Sequence, residues 1–357
     1  MGQGESPSCF PRLDFAEMRF LTMSNSNRVT TWLMKYGVLV GLFILLFGFA
    51  FVRPNILLPQ NITTIFAAAS ISFIMFAGVT WIFSIGEVDV SFTNIAALSN
   101  VVTAWSVQQG MGWGTAILAG LMVGVVFGIL NGVLVGYLRL SSLVTTIATG
   151  GLTLSIAKAI GAGASFRIDD TGFMGDLVNA SFGIFPVTML LALLIAFVLW
   201  VCQEKLLLGH YIYAQESNYK AVHEAGIPVK KLNVYLFLFA GVMAALSGCF
   251  IAASLSSGQP GIGNSYFIDG LTAIFLGSLA FRQGKANVLG TLIGVLILTV
   301  LTNGAGLSGW ANYERDMVKG GLLLLGVFVL IRGGRIHALK PKEKQPYEAD
   351  KSVLSSK

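Results

Sequence analysis

Few side chains in this sequence could do chemistry, and most of them lie in or beside long apolar blocks. Asp89, Ser91 and Asn94 stand together in GEVDVSFTNIAALSN, with Glu87 just before them. Asn131 sits in the next block, and Thr145, Thr146, Thr149 and Thr153 follow in SSLVTTIATGGLTLSIA. Hydroxyls and amides can hydrogen-bond a neutral polyhydroxy solute weakly and release it, and the same groups also tie one membrane helix to another. Charges inside a bilayer are costly and mark either a pathway or an interface. Glu87 and Asp89 read both ways, at the inner end of a span. So does Asp269, which opens a span near the outer face. Lys158 and Lys319 lie near span ends, where a long side chain can reach water. None of these charges sits at a span's midpoint, which argues against a proton-driven carrier. The candidate pathway set is Asp89, Ser91, Asn94, Asn131, Thr145, Thr149 and Asp269.

No reacting set accompanies them. His210, His223 and His337 all fall in polar segments, and neither HExxH nor GxSxG occurs. Cys9, Cys202 and Cys249 are odd in number and scattered, with neither a disulfide framework nor metal-ligand spacing. GSLAFRQGKA, residues 277–286, contains a Gly-Lys pair but has six residues between its glycines and no Ser or Thr after Lys285. It is not a nucleotide-binding P-loop. The expectation is therefore no catalytic residue, no metal and no cofactor in this chain.

The elements that must carry these residues are membrane helices. Of 357 residues, 55% are apolar and only 11% charged, against roughly 25% charged in soluble domains. The mean hydropathy is +0.76. The apolar blocks are long enough for helices crossing a hydrocarbon core, which takes about 20 residues. Ten candidate spans fall at 32–52, 63–85, 91–107, 113–137, 142–160, 183–202, 232–255, 267–281, 286–302 and 317–331. Those at 142–160 and 267–281 are the weakest, and read either as crossings or as broken, re-entrant helices.

With ten spans and both termini inside, Arg53, Arg167 and Arg315 alone face outwards among the 23 Lys and Arg. Lys158 and Lys319 fall within spans, and all the others lie inside, as orientation by positive charge requires. The pI near 9.2 thus reflects topology and not nucleic-acid binding. The expected organisation is an all-α polytopic domain at 32–331 in the bilayer. A cytoplasmic tail at 1–31 and a basic cytoplasmic tail at 332–357 flank it. The longest outer segment, 161–182, carries Asp169, Asp170 and Asp176.

Gly120, Gly124, Gly128, Gly132 and Gly136 recur every fourth residue in the fourth span. They make one stripe on a helix, which reads as tight helix packing or as a face that slides.

The strongest functional pointer is the polar break at 203–231. Within it Asn218 to Ala225 predicts a short helix, with Asn218 as N-cap and Gly226 just past the C-terminus. Such a helix is marginal alone and implies a partner surface.

The same stretch, YAQESNYKAVHEAGIPVKK, resembles the coupling loop of ABC importer permeases of the ribose/xylose/galactose type. Tyr213, Ala214, Asn218, Ala221, Gly226 and Ile227 match in register, while Glu216 replaces a glycine. GEVDVSFTNIAALSN resembles a second block through Gly86, Asp89, Ser91, Ala97, Leu98 and Ser99. A third, from Asp269 to Gly294, keeps Leu276, Gly277, Gly284, Gly290, Thr291 and Gly294, with departures at Ser278 and Arg282. The resemblance runs over nearly all of 36–331.

It implies a permease subunit of the bacterial inner membrane, paired with a second permease, identical or related. A cytoplasmic ATPase dimer would bring ATP and Mg, and a periplasmic binding protein would deliver a monosaccharide, polyol or similar solute. Tyr213, Glu216, Asn218, Ala221, Glu224, Gly226 and Ile227 would face the ATPase. The competing expectation is a stand-alone carrier or channel, which would work without an ATPase.

Overall fold

In a computed structural model the described residues are 25–332, apart from Asp170 and Gln283, with side chains from Tyr36 to Val329. The two tails read above fall mostly on 1–24 and 333–357, outside the described residues, as do Cys9 and His337.

The chain is mostly helical. Helix α1 (Asn25–Val52) begins within the stretch read as a tail, because nothing from Asn25 to Tyr36 is a Gly or Pro that would stop it. Pro54 ends it and opens a single 3-10 turn, Pro54–Leu57. Helix α2 (Pro59–Ser84) starts with a proline in its first turn, where no hydrogen bond is lost. Then come α3 (Phe92–Gln108), α4 (Trp113–Gly136) and α5 (Ser142–Ile160).

A compact excursion between α5 and α7 follows. It holds strand β1 (Phe166–Arg167), helix α6 (Gly172–Asn179) and the two-residue strands β2 (Ser181–Phe182) and β3 (Phe185–Pro186). Strands β2 and β3 pair antiparallel. Helices α7 (Val187–Glu204), α8 (Leu207–Ser217), α9 (Tyr219–Glu224) and α10 (Val229–Leu255) continue the chain. Strand β4 (Ser257–Gly258) pairs antiparallel with β1. Helices α11 (Gly263–Gly277), α12 (Val288–Leu307) and α13 (Asn312–Arg332) complete it.

Among the described residues six helices, α2, α4, α5, α7, α10 and α12, are long and apolar enough to cross a membrane. The molecule is thus a polytopic helical membrane protein. The weak span at 142–160 is one continuous helix of 19 residues. The other weak span lies four residues earlier than its expected bounds, and its 15 residues reach about 22 Å, short of the ~30 Å hydrocarbon core.

The most enclosed of the long apolar helices is α10, which packs against α2, α3 and α4, while α2 also packs against α12 and α7. The α4–α10 seam is built from the glycine stripe. A Cβ on Gly128 would stand 2.8 Å from Leu238 Cα, one on Gly132 2.7 Å from Val234 Cα, and one on Gly136 2.8 Å from the Lys230 carbonyl oxygen. Gly124 faces the backbone of Gly241, and Gly120 faces Thr103, Ser99 and Cys249. Lipid tails are as apolar as leucine, so close backbone approach supplies dispersion that burial alone would not. The seam is closed along its length, and the packing reading describes it; this conformation leaves no gap for a sliding face.

Candidate functional site: a capped helix on a cation-clamped base

Helix α9 is six residues long and mostly exposed, with Val222 as its one buried side chain. Asn218 is its N-cap, its Oδ1 accepting from the Ala221 amide at 3.1 Å. Gly226 follows at φ 81°, a left-handed position that glycine takes without strain. Ala221, Glu224 and Gly226 are exposed and Ile227 half-buried, so most of the expected contact set presents one outward surface. Tyr219 and His223 stack on that surface, with ring centroids 6.4 Å apart.

Tyr213 and Glu216 are placed differently. They lie on α8, beneath α9, and face the loop between α11 and α12. Tyr213 is 7% exposed, and its hydroxyl donates to the Ala286 carbonyl at 3.3 Å. The Arg282 guanidinium lies 4.4 Å from the Tyr213 ring centroid, and the Lys285 ammonium 5.3 Å. Both cations are also paired: Arg282 Nη2 to Glu204 Oε2 at 2.7 Å, and Lys285 Nζ to Glu216 Oε2 at 3.3 Å. Burial pushes the Tyr213 phenol above its ordinary range, with Arg282 pulling the other way. The ring therefore stays neutral and acts as a platform for two cations.

The clamp continues inwards. Gln203 Oε1 accepts from the Val288 amide at 2.9 Å at the start of α12. Ser84, at the end of α2, donates to the Ala286 carbonyl at 2.8 Å. Thr80 and Thr291 share a bond of 2.9 Å between α2 and α12. One polar cluster thus joins α7 and α8 to α2 and α12. Arg282, Lys285, Glu204 and Gln203 were not singled out as site residues from sequence. The only signal was the false P-loop, 277–286, whose basic residues serve the clamp.

The second group of expected residues lies where α3 begins. Asp89, read as solvated or as pathway, is only 1% exposed. It accepts from both the Ser91 amide and the Ser91 hydroxyl at 2.7 Å. Asn131 of α4 donates its Nδ2 to Ser91 Oγ at 2.9 Å. Glu87 and the following loop are fastened to α5: Ser142 donates to Glu87 Oε2 at 2.6 Å, and Thr146 Oγ1 accepts from the Val90 amide at 3.2 Å. Three of the seven pathway candidates thus form one chain of bonds, and Asn94 lies one helical turn on. A Cβ on Gly150 of α5 would stand 3.4 Å from Asn94 Nδ2. Thr149 donates back to the Thr145 carbonyl at 3.1 Å, the helix-internal use of a hydroxyl.

Asp269 has a partner of its own. Lys319 Nζ lies 2.9 Å from its Oδ1 and 3.0 Å from its Oδ2. Lys319, expected to reach for water, is instead 7% exposed, because the carboxylate from α11 holds its ammonium inside. Lys158 of α5 is exposed as expected.

Comparison with known proteins fits this architecture. No solved structure matches the chain. The ribose import permease protein RbsC of Bacillus subtilis (strain 168) is 33% identical over 83% of this chain and 92% of its own length. Its namesake in Escherichia coli (strain K12) is 30% identical over 84% and 94%. The D-allose transport system permease protein AlsC of the same strain is 30% identical over 82% and 90%. A sequence profile described as "Branched-chain amino acid transport system / permease component" matches residues 61–327. With its helical membrane domain and relatives that are permease proteins throughout, the chain belongs to this family of transport permease components.

Proposed function

We propose that the chain is the membrane-spanning subunit of an ATP-driven importer for a monosaccharide or a polyol of similar size. The observation that carries this reading is the similarity over more than four-fifths of the chain to permeases named for ribose, D-allose and, at 28% identity, L-arabinose. An exposed, capped helix between two spans supports it, since an isolated carrier has no need of one. On this reading α9 seats in a groove of a cytoplasmic ATPase, where ATP and Mg are bound. Two permease chains enclose the pathway, and a periplasmic binding protein delivers the solute. The chain sits in a bacterial inner membrane with ten spans, adding α1, α3, α11 and α13 to the six apolar helices, and with both tails in the cytoplasm.

Copurification tests this directly. The native chain in detergent retains its ATPase. Ala221→Asp on the exposed face of α9 and Gly226→Asp just past its end each lower the amount retained about tenfold, about 1.4 kcal/mol of binding. Equal retention by both variants would refute the placement of the contact.

A further inference from the structure

Beneath the start of α13 lies a cavity of about 250 Å³ lined by Ser265, Thr302, Asn312, Arg315, Asp316 and Lys319. Lys319 in its lining is paired with Asp269, and the lining residues Asn312 and Asp316 are exposed. Lys319 is seven residues into α13, about 10 Å along the helix. The pair therefore lies below the helix ends, at a depth where charge is costly.

A structural staple between α11 and α13 would need only that pair. Here the same cavity also collects Arg315, Asp316, an amide and two hydroxyls. Arg315 donates through Nη2 to Asn312, but its Nε is buried with no acceptor among the described residues. Lys319 is also 4.0 Å from Asp316. Two cations and two carboxylates leave the group with no net charge, so it offers no overall attraction to an ion of either sign. It offers charge-assisted donors beside charge-assisted acceptors at short spacing. A vicinal diol matches that pattern, because each hydroxyl both donates and accepts.

We propose that this cavity binds a neutral polyhydroxy solute of monosaccharide size, as a station of the pathway on the outer half of the membrane. Lys319, held by Asp269, and Arg315 supply its charged donors. This rests on the importer reading above and gives that pathway a place.

The test is equilibrium binding of radiolabelled D-ribose, D-allose and L-arabinose to the purified native chain in detergent, with copurification of the ATPase scored separately. At least one sugar binds in the millimolar range, about −4 kcal/mol. D-Glucuronate and D-glucosamine compete at least tenfold less well than D-glucose. Lys319→Gln weakens binding at least tenfold. The double variant Lys319→Met with Asp269→Leu replaces the buried pair by apolar side chains, a change that proteins often tolerate. It keeps the thermal midpoint and the ATPase while losing the sugar. Undiminished binding by a folded double variant, better competition by a charged analogue, or no binding of any of the three sugars by the native chain would overturn the proposal. Loss of the ATPase from the native chain would instead count against the importer reading.

Discussion

Gly132 and Val234 are so close that no side chain fits between them. A leucine there must push two helices apart, and overpacking of this kind costs about 3 kcal/mol or more. Gly132→Leu is expected to lower the unfolding midpoint in detergent sharply, whereas Gly151→Leu, with nothing within 4 Å of its Cβ position, should leave it almost unchanged. Similar losses at both positions would contradict the seam. Asn131 makes a different kind of contribution, one side-chain bond to Ser91 in a buried chain. Asn131→Ala should cost about 1 kcal/mol, read from the denaturant midpoint. At this scale the sequence was most legible where an effect is local. The caps of α9 could be read from Asn218 and Gly226, because a cap is written within a few residues of itself. The Lys319–Asp269 pair could not, because 50 residues separate its members and the pairing exists only once α11 and α13 have packed.

Among the elements, α8 matters as much as α9. Its Tyr213 lies under two cations that belong to the loop before α12, and Arg282 also pairs with Glu204 at the end of α7. The pair is part-exposed, 41% and 24%, and an ion pair of that kind contributes under about 1 kcal/mol to folding. Arg282→Gln should therefore fold and keep the ATPase. What it removes is one of the contacts that join α7 and α8 to the loop before α12. Solute carried per ATP hydrolysed is expected to drop about fivefold, roughly 1 kcal/mol of coupling, and the exchanged pair Arg282→Glu with Glu204→Arg should recover most of it. An unchanged ratio in a folded Arg282→Gln complex would assign the clamp to structure alone. The long apolar helices were read from sequence to within five residues at either end, and to the residue at α5. The clamp was not, because its basic residues stood out only as a failed nucleotide loop, and its partners lie some 70 to 80 residues away.

For the whole molecule, the six clearly apolar helices define a membrane domain, while the ten-span topology rests on four shorter or more charged ones. Cysteine labelling with an impermeant reagent in intact cells checks it. Tyr313→Cys, at the start of α13, should react from outside, and Lys220→Cys on α9 only after the membrane is opened. Charge placement is what argues for this arrangement, since it would put almost every Lys and Arg on one side. The second permease chain is not written in any local pattern, because it is met at a surface that a single chain leaves incomplete. The central claim is that this bundle moves solute only when a nucleotide-driven partner works on α9. Vesicles holding the chain with its ATPase and binding protein should accumulate labelled sugar when given ATP, and should lose that uptake when ATP is withheld or when Ala221→Asp is present. Vesicles holding the chain alone that concentrate sugar under an ion gradient would contradict the account.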